Sequence, residues 1–376
     1  MSNKIKYIVT SVLFLLIIFG VSIVGFAMPD KELSQSERRP LADFPQYSSS
    51  EKGFNSDVKS YIKGFEDYAL DQFPLRDTMR NVKAFVELKL FGKKDNKDLY
   101  IVDGVISEMQ PTLNEKSVQN AISVWNNIFV KYLEDKADNV LLSVIPDKNY
   151  FMAEKNGYLA YDYEKMISML KDGCAGFEYV DIFEKLELDD YYKTDTHWRQ
   201  EEIVEVARTL AEALGVADEY SWAYDVNELD VPFYGVYAGQ LGLSVESETI
   251  YYLTNKVLSE CKLFDYEMNK YVDIYDKAKA EGTDPYDFFL SGAKKGPMRI
   301  ENPNQDNGKT LVIFRDSFGS SFAPLMVEGY STIYVVDIRV SMAGMINNIV
   351  GGFEGKDVLF LASAMVVNDS SEFMKN

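Results

Sequence analysis

An α/β fold with a parallel sheet in three layers is predicted for most of this chain by short apolar runs that alternate with helical stretches. The clearest runs are 140–145, 310–314, 332–336 and 358–362. Strands that alternate with helices at this spacing indicate βαβ units, which place helices on both faces of a parallel sheet. Tyrosines, glycines and short alternating runs at about 216–305 predict a mixed insertion of β-hairpins and some helix.

The first element is an apolar segment of 21 uncharged residues, 7–27. A membrane-spanning helix needs roughly 20 apolar residues. Lys4 and Lys6 precede the segment and favour a cytoplasmic N-terminus, so the rest of the chain is expected outside the membrane. Residues 1–28 are therefore predicted to be a single-pass anchor. The alternative is a signal segment cleaved after the small residues near Ala27, which gives a secreted protein.

Residues 29–110 are predicted to form a polar tether and a helical N-terminal region. Prolines 29, 40 and 45 mark the tether, which spans 28–53. A helical stretch from about 57 to 91 is interrupted at 73–77, and its second half carries an apolar stripe. Residues 100–106 predict a hairpin that turns at Asp103–Gly104.

Residues 111–376 are predicted to form the α/β domain, which includes the insertion at about 216–305. Apolar positions at helical spacing predict helices at about 115–132 and 163–170, and before Gly215. Further helices are expected after the strands at 310–314 and 332–336.

The composition excludes some classes of partner. The chain of 376 residues carries 39 basic and 59 acidic side chains, for a net charge of −20. Such a surface repels phosphate backbones, so no nucleic-acid partner is expected, and an anionic membrane surface repels it too. The two cysteines, Cys174 and Cys261, and the single histidine are too few for a zinc cluster, and no metal or cofactor is predicted. The sequence leaves open whether the two cysteines pair.

The single histidine, His197, is the one side chain whose unperturbed pKa lies near neutral. Asp195 precedes it by two residues, and in an extended segment such residues face the same way. The carboxylate is therefore placed to accept a hydrogen bond from the imidazole Nδ1–H and to stabilise an imidazolium. The structural alternatives are a buried histidine and an aspartate that caps the following helix, a role for which Thr196 competes.

Ser317 follows an apolar strand and precedes a helix that begins near Gly319. Ligands of doubly wound sheets bind outside the carboxyl ends of the strands. Backbone N–H groups at a helix N-terminus can hold an oxyanion, and that of Ser317 is the predicted donor. The structural alternative is a serine that caps the helix.

Four further residues are weaker candidates for substrate binding. Arg339 follows the strand at 332–336, where a surface ion pair is the alternative. Lys148 and Tyr150 follow the strand at 140–145, at the same predicted edge. Tyr234 lies in the insertion, where it contacts sugar by stacking or packs in the core.

Several short motifs give the chain after the anchor a resemblance to the DHHW proteins and, more distantly, to the SGNH-hydrolase-like domains of alginate-type O-acetyltransferases. In chain order they are RPLADFP (39–45), QFPLRD (72–77), PDK (146–148), TDTHW (194–198), FYG (233–235) and RDSF (315–318). Arg315 replaces the glycine of a G-D-S pattern, and the G-x-S-x-G elbow is not matched. Thr196 stands where the family name places its first histidine, so any role of that histidine is lost here.

The resemblance implies a triad with Ser317 as nucleophile, His197 as general base and Asp195 as its orienting residue. It also implies acetyl transfer to an extracellular polysaccharide, with a membrane-bound acyl-carrier protein as a possible partner. A carbohydrate or lipid esterase with the same triad is the first alternative. The second is a non-catalytic, membrane-tethered glycan-binding scaffold, in which the three residues need not meet.

Overall fold

The computed structural model describes residues 3–50, 53–292, 296–337 and 339–373. Positions 51–52 of the predicted tether and 293–295 of the predicted insertion lie outside them. The chain divides into two compact units, the first formed by 1–96 with 238–244, and the second by 97–237 with 245–376.

The first unit is helical. Its elements are α1 (Asn3–Ala27), a short ladder of β1 (Leu33–Ser34) and β2 (Arg39–Pro40), α2 (Phe54–Asp71), α3 (Arg76–Phe85) and a π-helical turn (Val86–Leu90). The predicted interruption at 73–77 separates α2 from α3. Residues Lys4–Gly25 of α1 are long and apolar enough to cross a membrane.

Arginines of two of the short motifs form ion pairs with carboxylates that flank the motifs inside the first unit. The Arg39 guanidinium forms an ion pair with Asp71, at 2.6 Å between Nη2 and Oδ1, and lowers the pKa of that carboxyl to about 2. Arg76, from the second motif, pairs with the buried Glu37 carboxylate, and Arg80 lies 3.0 Å from the same group. These pairs tie the segment after α1 to α2 and α3.

The second unit carries the large sheet. Its elements in chain order are β3 (Leu99–Val102), β4 (Val105–Glu108), α4 (Glu115–Ile128), β5 (Asn139–Ile145), α5 (Lys148–Met152), α6 (Tyr163–Gly173), β6 (Glu178–Tyr179), α7 (Val204–Ala213), β7 (Asp225–Glu228), α8 (Val236–Leu241, partly in the first unit), β8 (Tyr251–Thr254), α9 (Lys256–Glu260), β9 (Lys262–Asp265), β10 (Lys270–Val272), α10 (Lys277–Ala280), β11 (Met298–Glu301), β12 (Thr310–Arg315), α11 (Gly319–Phe322), β13 (Thr332–Asp337), α12 (Ala343–Val350), β14 (Asp357–Ser363) and α13 (Ala364–Asn368).

The sheet has eight strands in the order β10-β9-β11-β13-β12-β14-β5-β6. The pairings from β13 through β6 are parallel, which confirms the predicted parallel sheet. The strands β9, β10 and β11 run antiparallel at the other edge. They come from the predicted insertion, and β9 and β10 are joined by a link of four residues, which only an antiparallel hairpin can close.

Helices cover both faces of the sheet, so the three-layer α/β/α architecture is confirmed. Alternate residues of β12 point into two apolar cores, with Leu311 and Ile313 facing α7 and α11, and Val312 and Phe314 facing α4, α6 and α12. The predicted hairpin β3–β4 is also present, and Asp103 and Gly104 at its turn both have positive φ. A two-residue turn of this kind matches the twist of the flanking strands.

The carboxyl ends of β5, β12, β13 and β14 lie at one edge of the sheet because these strands are parallel neighbours. Lys148, Ser317, Arg339 and Ala364 follow those ends within a few residues. The segment with Asp195 and His197 lies between β6 and α7. Cys174 and Cys261 are both free thiols.

Candidate active site

Ser317 is the half-buried residue of a tight turn between β12 and α11. Asp316 holds this turn with both carboxylate oxygens. Its Oδ1 accepts from the Phe318 N–H at 3.0 Å, and its Oδ2 accepts from the Ser363 N–H at 2.7 Å. The turn that presents the serine is thereby fixed to the neighbouring strand β14.

The three predicted triad residues are connected by hydrogen bonds in the order Ser317, His197, Asp195. His197 Nε2 is 2.8 Å from Ser317 Oγ, and His197 Nδ1 is 2.6 Å from Asp195 Oδ1. Asp195 is 1% exposed and His197 is 8% exposed. The scaffold alternative predicts that the three residues need not meet, whereas here they form one connected chain of polar contacts. That arrangement can move a proton from the hydroxyl to the imidazole.

The Asp195 carboxylate is fixed from two sides. Oδ1 accepts from the His197 backbone N–H at 3.1 Å, and Oδ2 accepts from the Val236 N–H at 2.8 Å. Gly235 allows this approach, because a Cβ there would lie 2.2 Å from the Thr194 carbonyl. The FYG motif therefore gives the backbone room to reach the aspartate.

Glu248, from the insertion, holds the backbone that precedes Asp195. Its carboxylate accepts from the N–H groups of Lys193 at 2.6 Å and Thr194 at 2.7 Å. Thr194 also donates its hydroxyl proton to Glu248 and accepts from the Gly235 N–H at 2.9 Å. The backbone N–H groups just before Asp195 therefore both have a carboxylate acceptor, which fixes the loop that carries the aspartate.

Trp198 connects the histidine segment to the serine turn. Its indole Nε1–H lies 3.1 Å from the Phe318 carbonyl oxygen and 3.0 Å from Ser321 Oγ. The side chain of Gln200 donates to the Ser321 carbonyl at 2.7 Å. Two segments that are 120 residues apart along the chain are therefore docked by buried hydrogen bonds.

Tyr286, also from the insertion, covers the imidazole. Its ring stacks on His197 with the centroids 3.9 Å apart and the planes 11° from parallel. Its hydroxyl lies 2.9 Å from Ser321 Oγ, and burial raises its pKa. The imidazole is therefore restrained both by Asp195 and by an aromatic face.

Lys148 is buried and contacts the protein itself. Its Nζ donates to the carbonyl oxygens of Tyr192 at 2.9 Å and Lys193 at 3.1 Å, just before Asp195. Burial lowers its pKa from 10.5 to about 7, an effect that Asp195 and Glu248 partly oppose. In this position Lys148 supports the loop, and contact with substrate stays a prediction.

The lowered pKa of Lys148 has a measurable consequence. Between pH 7 and 10 the unfolded chain binds more protons at this lysine than the folded chain does, so folding stability rises with pH across that window. As the pH rises, we expect the free energy of unfolding of the wild type to increase relative to that of Lys148→Met, by up to about 1.4 kcal/mol per pH unit. Denaturant unfolding from pH 7 to 10 checks this.

The matched control for this measurement is Lys155→Met, which changes an exposed lysine nearby. Its free energy of unfolding should run parallel to that of the wild type. Parallel curves for Lys148→Met would contradict the lowered pKa.

The other substrate-binding candidates have these environments. Tyr150 is 43% exposed and packs edge-on against Tyr163 and Phe183. The Arg339 guanidinium pairs with Asp337 at 2.6 Å, the ion pair that the sequence left as the alternative. Tyr234 is 52% exposed. Substrate contact with these three side chains stays a prediction.

Glu248, Tyr286, Val236 and Trp198 were not predicted from the sequence as site residues. The first three lie in the insertion, and their contacts depend on tertiary structure rather than on a local pattern. The TDTHW motif was the signal that carried Trp198. Within the described ranges no group of three or more His, Cys, Asp and Glu side chains is placed to hold a metal ion.

The DHHW protein family model matches residues 152–336. No curated protein matches the sequence. A DHHW family protein from Eubacterium siraeum DSM 15702 has a similar crystal structure, with a TM-score of 0.60 and 20% identity over 73% of this chain and 92% of that chain.

Two further solved structures are similar. Bacillus cereus PatB1 has a TM-score of 0.56 and 15% identity, over 72% of this chain and 97% of that chain, and it has also been solved with a sulfonyl adduct. The O-acetyltransferase domain of Pseudomonas putida AlgJ has a TM-score of 0.45 and 12% identity, over 73% of this chain and 93% of that chain.

The crystal structure from E. siraeum and that of PatB1 share the architecture described above, which confirms the predicted three-layer α/β/α fold with a parallel sheet. The match over residues 152–336 includes Asp195, His197 and Ser317. The family match and the shared fold together confirm that this chain resembles the DHHW proteins.

Proposed function

We propose that the protein transfers an acyl group, an acetyl group in the first instance, to a hydroxyl of a polysaccharide outside the membrane. The observation that carries the proposal is the polar chain from Ser317 Oγ through His197 to Asp195, with spacings of 2.8 and 2.6 Å. This spacing suits a nucleophile, a general base and the group that orients the base. The choice of an acetyl group and of a polysaccharide acceptor rests on the sequence resemblance.

In the first half-reaction Ser317 Oγ attacks the acyl carbonyl of the donor, and His197 Nε2 takes the hydroxyl proton. Asp195 stabilises the imidazolium that forms. A new Ser–acyl ester bond forms as the donor's bond to the acyl group breaks, and the imidazolium returns its proton to the leaving group. The Ser317 N–H is the proposed donor to the oxyanion.

In the second half-reaction His197 takes the proton of an acceptor hydroxyl, which attacks the acyl-serine. The bond from the acyl carbon to Ser317 Oγ breaks and the serine recovers its proton. A sugar hydroxyl as acceptor makes the protein a transferase, and water makes it an esterase. A membrane-bound acyl-carrier protein is the proposed donor partner.

The proposed location follows from α1. Its apolar span runs from Lys4 to Gly25, and Lys4 and Lys6 favour a cytoplasmic N-terminus. The rest of the first unit and the whole of the second unit then lie outside the membrane, where polysaccharide acceptors are available. Cleavage near Ala27 gives the same active site in a secreted protein.

The nucleophile can be identified by covalent labelling. The full chain is incubated with 4-nitrophenyl acetate and, separately, with an arylsulfonyl fluoride. We expect one acetyl or one sulfonyl group per chain by intact mass, and peptide mapping should place both on Ser317. Addition of soluble polysaccharide or oligosaccharide should speed loss of the acetyl group and yield an acetylated sugar.

The outcomes separate the candidate functions. Loss of the acetyl group at the same rate with and without sugar, with free acetate as the product, indicates the esterase. Labelling on a residue other than Ser317, or no labelling at all, would contradict the proposed nucleophile.

A further inference from the structure

The helix α3 and its π-helical turn carry an apolar stripe that the first unit leaves uncovered. Its members recur at helical spacing or close beside it, and each is exposed: Leu75, Met79, Val82, Phe85, Leu90 and Phe91. Phe91 is 72% exposed and Leu90 is 69% exposed. These residues are called the α3 stripe below. A contiguous exposed apolar surface of this kind marks a binding surface.

The α3 stripe begins at the outer end of α1. The Tyr68 hydroxyl donates to Asp30 at 2.9 Å, and the Lys31 N–H donates to the Gln72 side chain at 2.9 Å. A Cβ on Gly25 would lie 3.4 Å from the Pro74 ring. The corner between α2 and α3 is therefore tied to the residues at which the apolar helix ends.

This attachment sets the level of the corner relative to a bilayer. If Lys4–Gly25 spans the membrane, Gly25 lies at the outer boundary of the hydrocarbon layer. Pro74, and Leu75 next to it, then lie at the same boundary. The first residue of the α3 stripe is thus held beside the lipid headgroups.

Charge favours the first unit as the part that contacts a membrane. It holds 14 of the 39 basic and 12 of the 59 acidic side chains, so the second unit carries a net charge of −22. An anionic leaflet repels the second unit and not the first. Residues 83–94, at the far end of the α3 stripe, contain four lysines and one glutamate.

Apolar residues flanked by lysines are the composition of helices that lie in the plane of a membrane surface. Lysine ammonium groups pair with lipid phosphates while their stems lie along apolar surface. An adjacent protein chain would also bury the stripe, but the tie to α1 places a bilayer beside its first residue.

We propose that the α3 stripe binds the outer surface of the membrane in which α1 is anchored. Its apolar side chains enter the boundary between headgroups and acyl chains, and the lysines of 83–94 contact lipid phosphates. The first unit is then attached to the membrane at two places, the α1 span and the α3 stripe. This inference rests on the proposed membrane anchor and is independent of the proposed acyl transfer.

Lipid quenching of added tryptophans tests the inference in the full chain. The three native tryptophans, Trp125, Trp198 and Trp222, all lie in the second unit and give a constant background. Phe85→Trp and Leu90→Trp are reconstituted in phosphatidylcholine vesicles with and without brominated acyl chains. We expect each added tryptophan to lose most of its emission in the brominated vesicles.

Two control variants separate the stripe from the anchor. Phe14→Trp, an exposed position in the middle of α1, should be quenched if the anchor spans the bilayer. Tyr271→Trp, exposed on β10 of the second unit, should keep its emission.

Quenching of Phe14→Trp without quenching of Phe85→Trp and Leu90→Trp overturns the inference and leaves the anchor in place. A blue-shifted but unquenched emission at both stripe positions also overturns it, because another protein surface then covers the stripe. Labelling of Ser317 is unaffected by either result, so the two proposals fail separately.

Discussion

Ser317→Ala is expected to lower turnover of an activated acetyl ester by about 10⁴-fold or more and to abolish the acyl-enzyme. The reason is that the substitution removes the atom that lies 2.8 Å from His197 Nε2 and that forms the ester bond. The residual rate of product release should match the rate at which the same ester hydrolyses in buffer that contains free imidazole. Steady-state kinetics and intact mass check both parts.

Ser320→Ala is the matched control, since it removes a serine hydroxyl three residues further along the chain, in the first turn of α11. It should keep nearly the full rate and the acyl-enzyme. Wild-type activity in Ser317→Ala would remove the catalytic proposal, and far-UV circular dichroism would show that each variant is folded.

Asp195→Asn is expected to lower kcat by about 10³- to 10⁴-fold with little change in KM. Asp195 accepts hydrogen bonds from the His197 ring, the His197 backbone and the Val236 backbone. An asparagine side chain has only one acceptor oxygen, so its NH₂ group must face one of the present donors. Either the imidazole then changes to the other tautomer or the loop shifts.

Asp162→Asn provides the comparison for this substitution. Asp162 caps α6 by accepting from the Lys165 N–H, and asparagine caps helices equally well. Its kinetics should equal those of the wild type. A kcat for Asp195→Asn within a few-fold of the wild type would mean that the carboxylate does not orient the base.

The fold could be predicted where the pattern along the chain is local. The runs that became β5, β12, β13 and β14 are short and apolar, and helices separate them, so their parallel pairing follows from general rules of topology. The antiparallel edge of β9, β10 and β11 could not be predicted, because its strands are three or four residues long and their partners are set by the sheet already formed.

The site shows the same division. The spacing of Asp195 and His197 predicts their contact, and the end of β12 predicts the position of Ser317. The backbone between the two residues was expected to be extended, but it is a bend, closed by the hydrogen bond from the Tyr192 N–H to the His197 carbonyl. The support of that segment by Glu248 and Tyr286 depends on an insertion whose path the sequence does not define. Lys148 was predicted near the site for its place after β5, but burial turns it toward two backbone carbonyls.

The hydrogen bond between Asp316 and the backbone of Ser363 has a consequence for the timing of activity. The serine turn gains this restraint only after β14 has joined the sheet, more than forty residues after Ser317 has been synthesised. Without that partner, Asp316 would hold the turn through the Phe318 N–H alone. On the proposed mechanism, an ordered nucleophile therefore depends on the pairing of β14 with β12.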